Sequence, residues 1–144
     1  MIPWTSVERR WRDALLAAMI PPAAALAAPA AQPPAAAALP GLGELDLVPF
    51  WTAYERCAPP LLRLGVRVAV WVLSLAPILV LAVPCLFTQL EPEERDRMLE
   101  RAARSDWYVL RQMVVTLKLL ACFAYFREPA VRALTEGPGS GCGP

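Results

Sequence analysis

A chain of 144 residues with 14 basic and 13 acidic side chains carries a formal net charge of +1, too little to grip a nucleic-acid backbone. It contains no histidine, which removes imidazole general bases, Ser-His and Cys-His dyads, His-ligated haem and His-containing zinc sites. Hydrophobic residues make up 57% and the mean hydropathy is +0.41, so much apolar surface must be covered by a dense helical core, another subunit or a membrane.

Thr5-Ser6-Val7-Glu8 has the spacing of a capping box and opens a predicted amphipathic helix that runs to about Ile20. Its apolar face reads as Val7, Trp11, Ala14, Leu15 and Ala18, and its polar face as Glu8, Arg9, Arg10, Arg12 and Asp13. Pro21-Pro22 stop it. Arg9-Arg10 ahead of an Ala-rich run has the outline of a twin-arginine export signal, but Glu8, Arg12 and Asp13 crowd the pair and the prolines cut the apolar run short. The expectation is therefore an N-terminal helix over 1–20 and an Ala/Pro-rich linker over 21–43, with the helix separable from the rest of the chain. A cytoplasmic or inner-membrane-associated location is expected ahead of periplasmic export.

Residues 44–135 are expected to form the helical domain. Leu47, Phe50, Trp51 and Tyr54 recur at helical spacing before Pro59-Pro60, and Pro60 suits the first turn of the next helix. Arg63, Arg67 and Ser74 share one narrow stripe of that helix; its other positions are hydrophobic or small. Val68 to Leu90 carries no charge, and a run of that length can cross a bilayer. Pro77 and Pro84 interrupt it, so a buried, kinked core helix is the leading reading and membrane insertion the alternative.

Leu90-Glu91-Pro92-Glu93-Glu94 is a strong helix start, with proline in the first turn and acids where the helix dipole favours them. Glu93–Arg97 and Glu100–Arg104 are spaced for surface ion pairs, and Met98, Leu99, Ala102 and Ala103 supply the inward face. Ser105 is expected to cap a helix from Asp106 to about Phe126. Its Met113–Phe126 stretch, apolar apart from Thr116 and Lys118, is too short to span a bilayer and reads as the central helix of a bundle. Leu110, Val114, Leu117 and Phe123 are its expected core positions. Lys118 reads either as a snorkelling surface residue or as a buried charge that meets a partner. Pro129 to Leu134 fits one more short helix before a Gly/Pro tail over 136–144. No alternating strand pattern competes, so the expected fold is all-α: a small bundle with a kinked, strongly apolar central helix.

The cysteines, Cys57, Cys85, Cys122 and Cys142, form no Cys-x-x-Cys pair, and Cys85 and Cys122 read as small core hydrophobes. Gly41-Leu42-Gly43 lacks the strand context of a phosphate loop. No catalytic, cofactor-binding or metal-ligating residue is nominated, and the chain is read as no enzyme on its own.

Several blocks together resemble the gluconate 2-dehydrogenase small-subunit (subunit 3) family. They are the Ile20-Pro21 end of the first helix, Phe87-Thr88-Gln89-Leu90-Glu91-Pro92-Glu93-Glu94-Arg95, the Ser105 and Arg111 pair, and Tyr125-Phe126 ahead of Pro129. The same module resembles the N-terminal helical region of long-chain alcohol oxidases of the glucose–methanol–choline type. The Gly-Tyr pair that often succeeds the last block in that family is replaced here by Thr135-Glu136-Gly137-Pro138. The resemblance implies a small helical subunit that holds no flavin itself and accompanies the large subunit of a FAD-dependent sugar or alcohol dehydrogenase. Arg111, Lys118, Tyr125 and Phe126 are the expected interface residues. The alternative is a small membrane-associated helical protein.

Overall fold

The computed structural model describes residues 3–22, 39–80 and 84–135. Most of the expected linker and the whole 136–144 tail with Cys142 lie outside the described residues. Within them the chain forms six α-helices and two 3-10 turns and no strand. The helices are α1 (Ser6–Met19), α2 (Val48–Cys57), α3 (Pro60–Val80), α4 (Pro92–Ala103), α5 (Tyr108–Arg127) and α6 (Pro129–Thr135). The turns are Leu42–Glu44 and Phe87–Gln89. The fold is an all-α bundle.

Local chemistry sets the helix starts. At α1 the Glu8 N–H donates to Thr5 Oγ1 at 3.2 Å, and the Thr5 N–H donates back to Glu8 Oε2 at 2.9 Å. At α4 Pro92 occupies the first turn and the Glu91 N–H donates to Glu94 Oε2 at 3.3 Å. Both expected ion pairs of α4 form, Arg104 to Glu100 at 2.8 Å and Arg97 to Glu93 at 3.8 Å. The start of α5 is later than expected. Ser105 Oγ accepts the Trp107 N–H at 3.2 Å, so the serine closes the turn ahead of the helix, and Trp107 takes the cap position.

α3 runs through Pro77 to Val80, with Pro84 beyond its end. The uncharged run from Val68 to Leu90 is thus not one helix: it divides between the end of α3 and the Phe87–Gln89 turn, where Phe87 is fully buried. The Arg95 guanidinium lies 5.8 Å from the Phe87 ring and donates to the Thr88 carbonyl at 3.0 Å, locking this turn onto α4.

Packing reverses one expectation. α1 is not a separable appendage. Leu15 and Leu16 are fully buried with Val66, Val70 and Leu73 of α3, Met98 of α4 and Leu117 of α5, and α1 packs against all three of those helices. The chain can return to the bundle because the ends of the connection meet. The Leu42 N–H donates to the Ile20 carbonyl at 2.9 Å, and Gly41 lies so close to Pro22 that a Cβ there would sit 2.7 Å from the proline nitrogen. Leu42 then inserts into the core. The expected linker boundary at residue 43 therefore moves back, because Gly41 to Glu44 are part of the fold.

Candidate interaction surface

Two inversions of the ordinary pattern stand out: charges buried beneath α1, and large apolar side chains left open on α3 and α5. The polar face assigned to α1 turns partly inward. Glu8 is 3% exposed and Arg12 is 6% exposed, whereas Val7, expected inside, is exposed. The reason is the charge on α3. Arg67 reaches Glu8 with two bonds, Nε to Oε1 at 2.7 Å and Nη2 to Oε2 at 2.6 Å, a bidentate pair. Trp71 Nε1 donates to Glu8 Oε1 at 2.8 Å and Thr5 Oγ1 donates to Oε2 at 3.0 Å. Arg67 above all, with Thr5 and Trp71, holds the Glu8 carboxyl at about 2 against the opposing effect of burial. The same pairing raises the Arg67 pKa.

Arg12 is housed differently. Its guanidinium stacks 4.1 Å from the Trp51 ring centroid and 5.3 Å from that of Trp4, and its Nε donates to Asp13 at 2.8 Å. Trp4, Phe50, Trp51 and Tyr54 form one aromatic cluster that ties α2 to α1. The polar stripe of α3 therefore faces its own bundle: Arg67 meets Glu8, Arg63 donates to the Glu55 carbonyl at 2.9 Å, and Ser74 is buried. The Arg67 charge is thus paired internally, and Arg63 is held by a backbone carbonyl. These contacts build the fold.

What α3 turns outward is apolar. Leu61, Leu64, Val68, Trp71, Leu75 and Ile78 are all exposed, so the expectation of a core helix holds for one side only. α5 is divided in the same way. Leu110, Val114 and Leu117 are buried as expected, together with Leu120, Ala121 and Ala124. Phe123, expected in the core, is 66% exposed, because the register that buries Leu120 and Ala124 turns position 123 outward. The outer face of α5 carries Tyr108, Val115, Leu119, Phe123 and Phe126, bordered by exposed Arg111 and Lys118. Arg111 lies 5.6 Å from the Tyr108 ring centroid.

Of the four expected interface residues, Arg111, Lys118 and Phe126 share this outer face and Tyr125 does not. Tyr125 is buried, and its hydroxyl donates to the Pro40 carbonyl at 3.0 Å; burial, then the nearby Glu44 charge, raises its pKa. It anchors the returning chain. Trp107, Tyr108 and Val109, exposed at the α4–α5 corner, are surface residues that sequence reasoning misses, although three large apolar residues ahead of a core helix are a readable signal. With Val72 and Ala76 of α3 and Arg101 of α4 they border an open groove of about 1140 Å³.

α5 is also longer than its apolar core stretch. Both Pro60–Ile78 and Tyr108–Arg127 are long and apolar enough to cross a membrane by length and composition, which revises the expectation that the latter is too short. Among the described residues no group of three or more His, Cys, Asp or Glu could hold a metal ion. Comparison with protein-family models, with curated proteins and with solved structures finds no match.

Proposed function

We propose that this chain is a non-catalytic accessory subunit that docks, through the outer face of α5, on the large subunit of a FAD-dependent sugar or alcohol dehydrogenase. The observation that carries the docking role is that face itself. Leu119, Phe123 and Phe126 are each more than half exposed although the opposite side of α5 is buried in the core. Open aromatic and aliphatic side chains rimmed by cations have the composition of an interface, with an apolar centre and a polar border. α5 contains Arg111, Lys118 and Arg127 and no acidic residue, so the matching partner surface is apolar with an acidic edge. The flavoprotein identity of the partner rests on the resemblance carried by the Phe87–Arg95 block, Ser105, Arg111 and the Tyr125-Phe126-x-x-Pro129 block. FAD belongs to the partner in this reading; the chain aids its folding, docking or localisation.

Co-expression tests the proposal. With a flavoprotein encoded beside it, the chain should co-purify in fixed stoichiometry and the complex should show a flavin spectrum, whereas the chain alone should show none. A soluble monomer that binds no such flavoprotein would contradict it. The second reading, membrane association, is favoured by the two helices of spanning length. Retention in the membrane pellet after an alkaline carbonate wash, with no flavoprotein partner, would support that reading.

A further inference from the structure

The outward face of α3 has a spacing that the bundle uses at one position only, Trp71, whose N–H meets Glu8 and whose ring meets Trp11 edge-on while 43% of it stays exposed. Six exposed apolar residues, Leu61, Leu64, Val68, Trp71, Leu75 and Ile78, follow alternating steps of three and four, while Leu62, also exposed, lies off this line in the first turn. That is the repeat of a helix seam made to meet another helix, with every position apolar and none charged. The sequence of steps also reads the same in both directions. Laid antiparallel on a second copy about a two-fold axis between Val68 and Trp71, Leu61 meets Ile78, Leu64 meets Leu75, and the small Val68 meets the large Trp71.

Charge permits this contact. The cation of α3 beside the seam, Arg67, is neutralised within its own chain by Glu8, so α3 brings no unpaired charge of its own to the axis; Arg101 of α4 stands further out, across the groove beyond Val72. The outer face of α5 is different, since Arg111 and Lys118 stand beside it with no acid on the helix, and self-pairing there would oppose cations. Area permits it too. With on the order of 100 Å² open on each of six large side chains, the seam offers roughly 600 Å² per partner, the small end of specific interfaces, which suits association at micromolar concentration. Among the described residues nothing lies within 4 Å of where a Cβ of Gly65 would stand, so a neighbouring helix can come close there.

We infer that the exposed α3 seam is an isologous, antiparallel contact between two copies of this chain. The inference does not rest on the partner proposed for α5, which engages a different face.

The test is a charge reversal across the two-fold axis, read as particle mass by analytical ultracentrifugation at micromolar concentration without detergent. It uses the full chain, alone or in whatever complex it co-purifies with. Wild type should contain two copies per particle. Leu64→Glu should weaken self-association by roughly 100-fold, because it sets a carboxylate against Leu75 of the other copy. The double variant L64E/L75K should restore the two-copy particle, since in this register each acid meets a lysine. A membrane-facing or foreign-protein-facing α3 would be damaged further by the second charge. One copy per particle in wild type, a two-copy particle that survives L64E, or failure of L64E/L75K to restore it while the helical content is intact would each overturn the inference.

Discussion

Glu8 ties α1 to α3 by accepting two bonds from Arg67 and one from Trp71, and its acid–base behaviour makes that tie measurable. Its folded pKa of about 2 lies below its ordinary value of 4.5. The stabilisation is therefore present in full above the ordinary value and is lost as pH falls from there toward about 2. Glu8→Gln should cost about 3 kcal/mol near neutral pH, because it leaves Arg67 facing a neutral amide. Urea unfolding across the acid range should show the wild type converging on the variant as the pH drops; a constant gap between them would mean the carboxylate is not the group that matters. Ser74 is the reverse case. Its hydroxyl is buried among α3's inward residues with no hydrogen-bond partner among the described residues, so Ser74→Ala should hold or raise stability by up to ~1 kcal/mol, read from the same unfolding curves. Gly41 is required for space. Its φ of −73° is open to any residue, but a Cβ would meet the Pro22 backbone at 2.7 Å. Gly41→Ala should lower the unfolding midpoint by pushing the two ends of the connection apart.

At the scale of elements, α1 is the decisive helix. It contributes Leu15 and Leu16 to the centre of the core and the acid that Arg67 grips in the bidentate pair. Deleting residues 1–22 should abolish cooperative unfolding, since the loss is comparable with the ~5–15 kcal/mol that holds a small domain together. A truncated chain that still melts in one sharp transition would show that α1 is dispensable. Sequence alone suggests the opposite, and the failure has a physical origin. Helix boundaries are legible because caps, prolines and ion-pair spacing act over three or four residues; α2, α3, α4 and α6 begin or end close to where those signals fall. Whether two segments pack is decided by groups far apart in sequence. Nothing local to Glu8 says that Arg67, 59 residues later, will draw it inward. For the same reason the apolar stretches of α3 and α5 look buried all round when only their composition is considered. A bundle of four main helices has an inner side only, and the register that puts Leu120 inside puts Phe123 outside. The candidate surface is accordingly half legible: Arg111, Lys118 and Phe126 fall on it, and Tyr125 does not, because its hydroxyl is taken by the returning chain at Pro40.

For the molecule as a whole, the excess hydropathy has a definite location. Among the described residues the bundle encloses one core and leaves two apolar helix faces open, one charge-free on α3 and one edged by cations on α5. Expressed alone, the chain should self-associate, and raising the salt should do little to disperse it, because apolar contacts rather than ion pairs hold the α3 seam. The docking role of α5 is tested most directly by Leu119→Glu, measured as affinity for the co-expressed flavoprotein alongside thermal unfolding. Leu119 is 54% exposed, so the variant should keep its unfolding temperature within a few degrees while binding the flavoprotein about 100-fold less tightly. Leu64→Glu on α3 should leave that affinity unchanged. Undiminished flavoprotein binding by Leu119→Glu, or binding lost only together with the fold, would contradict the account.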